Sequence, residues 1–279
     1  MTASTITSKS QQKPQHKSQR RSRQLRAMVI MLWGILPTLA ASAHAAGCRF
    51  TAQGEGRVAE IIDGRSFRLA DGREIKLAGI EQVPADTKMA DGPATLRAIL
   101  AGRDVTLSGD DDAPDRYGRQ AAFVFLASSD TLVQSLLLAE GAALVSAEVA
   151  DKDCEGILMT SEAAARQAKK GVWNDSTAIK NSEIPDDILA RIGRFAVIEG
   201  RILSVRQAGA TTYLNFGRNW TRDFAVTISR RTLPTIEAAG LALKSLENRR
   251  IRVRGWVEAR IGPHIELHHA GQIEILNGN

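Results

Sequence analysis

The chain has 279 residues, 43% of them apolar, with two cysteines and a formal net charge of +6. At roughly 150 residues per domain this length suggests two domains with ordinary globular cores. The charge is no evidence for a nucleic-acid partner, because the first 46 residues alone supply +7 and contain no Asp or Glu. Beyond them, residues 49–180 carry 16 basic and 21 acidic groups, and residues 181–279 carry 14 and 10. Only the last third is basic.

Residues 1–46 read as an export signal. Lys9, Lys13, Lys17, Arg20, Arg21, Arg23 and Arg26 form a basic region, Ala27–Leu39 an apolar run, and Ala43-His44-Ala45 an Ala-x-Ala ending. Gly34 and Pro37 interrupt the run, which is short for a membrane span. Arg20-Arg21 lacks the apolar residues that twin-arginine export would place soon after. The expected location is therefore periplasmic or secreted. In an oxidising compartment Cys48 and Cys154 are expected to form one disulfide. The rival reading is lipoprotein processing at Ala45-Ala46-Gly47-Cys48, which lacks a Leu three residues before the cysteine.

The next elements are short strands. Gly56–Ile62 ends at Asp63-Gly64, Ser66–Ala70 ends at Asp71-Gly72, and Glu74–Ile80 alternates apolar positions. Asp-Gly between short alternating runs signals hairpins. Asp91-Gly92-Pro93 opens a helix with Leu96, Ile99 and Leu100 on its apolar face, and Gly102 closes it. Asp104–Ser108 is a fourth strand. An acidic loop, Asp110–Asp112, leads through Asp115 to a fifth, Gln120–Leu126. A helix over Leu132–Glu140, capped by Asp130 or Thr131, stops at Gly141. Ala143–Ser146 is extended, and Glu155–Lys170 is a long helix ending at Gly171.

Residues 56–84 together resemble the core of the staphylococcal-nuclease family. That family shows Asp-Gly-Asp-Thr at the first turn and Arg-Leu-x-Gly-Ile-Asp-x-Pro-Glu after the hairpin. Here Asp63-Gly64-Arg65-Ser66 and Lys76-Leu77-Ala78-Gly79-Ile80-Glu81-Gln82-Val83-Pro84 occupy those places. The likeness extends over about 56–174, with further marks at Tyr117-Gly118-Arg119, Leu138–Gly141 and Trp173. It implies an α+β domain over 47–174: a five-stranded Greek-key barrel of OB type with helices.

The resemblance also implies a chemistry, metal-assisted attack of water on a phosphodiester. Ca²⁺ needs several oxygen ligands, a carboxylate orients the water, and two arginines hold the phosphate. Carried over, the first metal ligand falls at Arg65, which puts a cation where the ion belongs. The second falls at Glu81 and keeps its charge. The general base falls at Pro84, which binds no proton. The phosphate contacts fall at Lys76, which loses bidentate geometry, and at Arg119, which is intact. No tyrosine stands around Ala147–Val149, where the family's nucleotide-flanking pair would lie. Arg65 either joins Lys76 and Arg119 in holding an anion or pairs with Glu81 or Asp63. No cofactor is expected, or Ca²⁺ if Asp110–Asp112 and Asp115 rebuild the site.

Residues 175–190, polar and containing Pro185, read as a linker. The rest, 191–279, reads as a second, smaller OB-like barrel: strands at Phe195–Arg206, Thr211–Phe216 and Phe224–Ile228, a helix at Leu233–Leu243, then strands at 250–260, His264–Leu267 and Gln272–Leu276. Tyr213, Arg218, Trp220 and Arg222, with Arg206, Arg250, Arg252, Arg254, Phe216, Phe224 and Trp256 nearby, suggest a stacking and phosphate platform; the alternative is that most aromatics are core. His264, His268 and His269 do not make a metal site, since 264 and 268 lie ~13 Å apart along a strand and 268 and 269 point oppositely. Three functions are carried forward. The first is binding of nucleic acid or another polyanion by a degenerate nuclease. The second is an active metal-dependent nuclease, and the third a structural or protein-binding envelope component.

Overall fold

A computed structural model describes residues 48, 50–84, 87, 90–146, 148–259 and 261–276. The export signal expected over 1–46 lies outside the described residues.

The first barrel is built from β1 (Thr51–Ile61), β2 (Ser66–Leu69) and β3 (Glu74–Leu77), which descend through the two Asp-Gly turns. β4 (Ile80–Gln82) follows, then α1 (Gly92–Leu100), β5 (Asp104–Gly109) and β6 (Arg119–Leu126). The ladders run β3-β2-β1-β5-β6, and a parallel β3–β6 pairing closes the circuit. This is a closed five-stranded mixed barrel with helices, an OB-type fold. Phe67, Leu69, Ile75, Leu77, Leu107 and Val124 alternate into its core. Asp91 caps α1 as expected, its side chain accepting from the Ala94 amide at 2.9 Å.

The expected third strand is broken in two. Gly79 stands at φ +75°, where a Cβ would lie 2.9 Å from Leu158 Cδ1. The chain turns there, and β4 leaves the barrel to pair with β8 (Ala143–Val145). Between them come β7 (Thr131–Leu132), paired with β6, and α2 (Val133–Ala139). The expected Asp130 or Thr131 cap is absent; Asp130 adopts φ 54° and Leu132 occupies the cap position without a side-chain bond. α3 (Lys152–Gln167) starts three residues before the expected point, because the Asp151 carboxylate accepts from the Cys154 amide.

The stretch read as a linker is ordered structure. β9 (Ile179–Asn181) pairs in parallel with β10 (Phe195–Arg201), and between them α4 (Pro185–Leu189) buries Ile188. The single long strand expected over 195–206 is two. It bends at Ile202, so β10 pairs with β14 (Arg250–Ala259), whereas β11 (Ser204–Ala208) pairs with β12 (Thr211–Asn215). β13 (Ala225–Ser229), β15 (Pro263–Glu266) and β16 (Ile273–Leu276) complete the sheet, ordered β11-β12-β13-β15-β14-β10-β9 with β16 on β14. The expected helix at 233–243 is shorter: α5 (Leu233–Ala238) stops before Gly240 at φ +94°, and a 3-10 turn follows at Leu243–Leu246.

The described residues fall in one compact unit. Leu144, Ala165, Val172 and Trp173 from the first barrel's side pack with Phe195 and Val197 of β10. Within this seam Glu162 of α3 and Arg254 of β14 are both fully buried. Arg254 Nη1 lies 2.9 and 3.0 Å from the two Glu162 oxygens. Glu162 also accepts from the Val145 amide at 2.7 Å. Arg252 is buried too, held by Glu199 and Glu274. Arg252 and Arg254 therefore belong to the seam and not to an exposed basic platform. Cys48 and Cys154 form a disulfide that ties the start of the described chain to α3. Among the described residues no helix is long and apolar enough to cross a membrane.

Candidate functional site

Arg65 lies at the mouth of the first turn, just before β2. Its amide donates to Asp63 Oδ1 at 2.8 Å, an Asx turn that fixes its backbone. Its guanidinium forms an ion pair with Glu81 on β4 and donates to the Ile80 carbonyl at 3.3 Å. Both side chains are largely buried, at 14% and 12% exposure. Of the two arrangements open in the sequence, the structure holds the Arg65–Glu81 pair.

Lys76 stands opposite Ser66 on the β2–β3 ladder, with Arg119 beginning the neighbouring β6. Burial pushes the Lys76 ammonium below its ordinary value, and the charges of Arg65 and Arg119 push it the same way, against Glu81. The three cations thus share one electrostatic patch. Among the described residues Lys76 makes no ion pair; the charges of Glu81 and Asp115 act on it against those of Arg65 and Arg119. Arg119 is clamped: its Nε and Nη2 reach Asp115 Oδ2 at 3.1 and 2.8 Å. The other oxygen, Oδ1, accepts from the Tyr117 and Arg119 amides.

These bonds, that from the Arg119 side chain foremost, hold the Asp115 carboxyl at about 2, below its ordinary 3.8. The folded value is the lower, so the clamp's contribution is complete above about 3.8 and disappears as pH falls through about 2. A carbon-detected NMR titration is expected to show Asp115 ionised at pH 3, with the Tyr117 and Arg119 amide shifts moving only near pH 2.

The residues do not fit a bound Ca²⁺. The ion takes six to eight oxygens, and here Glu81 is already neutralised by a guanidinium. A cation held by Glu81 at ~4 Å from Arg65 would be repelled by several kcal/mol at an effective dielectric near 20. Asp115 has both oxygens engaged, and Asp111 Oδ1 accepts from the Ala113 amide. Among the described residues no three His, Cys, Asp or Glu side chains cluster to hold a metal. Pro84 follows β4 half-buried, its carbonyl accepting from Thr87.

Two further residues hold this patch in shape and carry weak sequence signals. Gln134 is fully buried on α2; its Nε2 donates to the carbonyls of Ala78 and Ala122, and its Oε1 accepts from the Val124 amide. It pins the turn after β3 to β6, and its sole trace in sequence is a lone amide inside an apolar helix. Tyr117, 65% exposed, lies under the Arg116 and Arg119 guanidiniums at 4.8 and 5.1 Å. The resemblance includes it only in the Tyr117-Gly118-Arg119 mark and gives it no role.

In the second sheet Tyr213, Arg218 and Trp220 line one groove of about 1000 Å³, together with Arg206. Arg222 does not join them; its Nη2 pairs with Asp186 of α4 at 3.3 Å. Phe224 is core, Phe216 packs against the core, and Trp256 sets its ring against the edge of Phe195. His264 is near-buried, within 3.6 Å of Glu258 and 3.4 Å of the Gly262 carbonyl.

Residues 90–175 match a family described as staphylococcal nuclease homologue, whereas no curated protein matches the chain. The matched stretch begins after β4 and covers α1, β5, β6, α2, β8 and α3, the part of the barrel that contains Arg119. The chain thus carries a staphylococcal nuclease-like domain.

Proposed function

We propose that this domain is an exported, degenerate nuclease that binds nucleic acid or another polyanion without hydrolysing it. The ion pair between Arg65 and Glu81 carries the reading. A guanidinium occupies the place where the family's chemistry needs a divalent cation, and Pro84 stands where it needs a base. Lys76 and Arg119 stand at the family's phosphate positions; a phosphate would share the Arg119 guanidinium with Asp115, beside the exposed Tyr117. The ammonium of Lys76 makes no ion pair among the described residues, which leaves it open to a phosphate oxygen. Export is supported by the basic, apolar and Ala-x-Ala series at the N-terminus and by a disulfide suited to an oxidising compartment. The Cys48–Cys154 bond leaves no thiol for lipidation. A second OB-type barrel is supported by ladders that run strand 1-2-3-5-4-1 when β10 and β11 are taken as halves of one bent strand, the order of the first barrel.

The test incubates the purified protein with single- and double-stranded DNA and RNA, in Ca²⁺ or in chelator. The expected result is no cleavage, with retention that weakens as salt rises and falls in Lys76→Ala and Arg119→Ala variants. Ca²⁺-dependent cleavage lost in Arg119→Ala would establish an active nuclease instead. No cleavage and no retention of any polyanion would overturn the binding reading and leave a protein partner as the alternative.

A further inference from the structure

The groove on the second sheet has a chemistry of its own. Its floor is the outer face of β11, β12, β13 and β15, where Arg206, Tyr213, Thr227 and Glu266 stand side by side across four strands. The neighbouring rows mix polar and small apolar side chains, with Ser204, Asn215, Ala225 and His264 on one side and Ala208, Thr211 and Ser229 on the other. Asn215 Nδ2 donates to Ser204 Oγ at 3.3 Å and the Ser229 hydroxyl bonds to that of Thr232, so these groups are oriented and keep their remaining bonding capacity for a ligand.

One wall is a loop that is ordered in advance. The Asn219 amide donates to Asp223 Oδ2 at 2.8 Å, and the Asp223 amide returns a bond to the Asn219 carbonyl at 2.7 Å. Asn219 Oδ1 accepts from both the amide and the hydroxyl of Thr221. Gly262 backs this loop so closely that a Cβ would sit 3.2 Å from the carbonyl oxygens of Trp220 and Asp223. On this braced loop Trp220 is 69% exposed. An indole held out to water on a fixed loop is a stacking surface whose ordering is complete before a ligand arrives.

Charge decides which ligand. Among the described residues lining the groove, Arg206 and Arg218 face Asp223, Glu247 and Glu266. A groove that tracks a phosphate backbone needs an excess of cations, and here carboxylates outnumber guanidiniums. We propose that the groove binds a neutral oligosaccharide. The apolar face of a sugar ring stacks on Trp220 and Tyr213, and its hydroxyls bond to the carboxylates and to the short polar side chains of the floor. This site is separate from the cationic patch of the first barrel and does not depend on its function.

The test titrates the whole chain with neutral tetrasaccharides (β-1,4-N-acetylglucosamine, β-1,4-glucose, α-1,4-glucose and β-1,4-mannose), following tryptophan emission and calorimetric heat. Decathymidylate and an unstructured neutral decapeptide serve as comparators. At least one tetrasaccharide is expected to bind saturably and with little dependence on salt. Its affinity is expected to fall roughly tenfold or more in Trp220→Ala and in Tyr213→Ala, as for a truncated aromatic anchor. Trp220 is exposed, so its variant keeps the fold, and circular dichroism confirms this. Failure of all four sugars overturns the proposal. Salt-dependent binding of decathymidylate that is lost in Trp220→Ala assigns the groove to nucleic acid, and binding of the peptide in that manner assigns it to a protein.

Discussion

Arg254→Ala is expected to destabilise the protein by about 3 kcal/mol, because it removes the fully buried one of the two guanidiniums that balance the buried Glu162 carboxylate. At about 2–4 °C per kcal/mol for a chain of this size, the melting temperature falls by roughly 10 °C. The loss arises from desolvation. Glu162 keeps the Val145 amide and the Arg166 guanidinium, at 3.2 Å, so the loss lies at the lower end of what breaking a buried pair costs. Replacing both partners, Glu162→Leu with Arg254→Met, is expected to recover part of the loss: the buried charge disappears with its partner, but the Val145 amide loses its acceptor and Arg166 keeps only Glu274. Calorimetry of the wild type should give a single transition in which the barrel and the second sheet unfold together. A wild type with two separate transitions, or an Arg254→Ala variant as stable as the wild type, would show that the pair does not weld the seam.

Loss of the disulfide is the second large effect. Cys154 is fully buried on α3, and its bond to Cys48 closes a span of 106 residues. In the chain-entropy account a loop of that length is worth about 4.7 kcal/mol, and measured losses run from about 2 to 5. Cys154→Ala, which leaves no buried hydroxyl behind, is expected to lose about 3–5 kcal/mol in guanidinium unfolding. A reductant should bring the wild type to the stability of the variant and leave the variant unchanged. If the reductant destabilises neither, the two sulfurs are not bonded in solution.

Local signals in the sequence were reliable where the physics is local. The Asp63-Gly64 and Asp71-Gly72 pairs placed the meander, Asp91 placed the first helix, and Gly141 ended the second. Elements fixed by distant partners were harder to read. The alternation Arg250, Arg252, Arg254 looks like a solvent-facing row, yet α3 and β16 cover it and turn two of the three into buried partners of glutamates. The polar composition of 174–187 hides a strand that pairs with β10. The polar–apolar pattern around Ile202 gives no hint that the strand changes partner there.

The candidate site divides in the same way. The substitutions at Arg65 and Pro84 are legible through the resemblance, because each changes charge or chemistry at a single position, whereas Glu81 keeps its carboxylate. The pairing of Arg65 with Glu81 was one of two open arrangements, and only the path of β4 beside β8 decides it. The grip of Asp115 on Arg119 and the support from Gln134 depend on side chains meeting across loops and helices. The separation of Arg222 from Tyr213, Arg218 and Trp220 follows from α4, an element that the sequence presents as a linker.

The most direct measurement is a calorimetric Ca²⁺ titration of the wild type beside an Arg65→Asp variant. If the guanidinium of Arg65 fills the cation's place, the wild type gives no saturable heat. The variant, which frees Glu81 and adds a second carboxylate, gains a site that Glu81→Ala removes again. Stoichiometric Ca²⁺ binding by the wild type, lost in Glu81→Ala, would contradict the account.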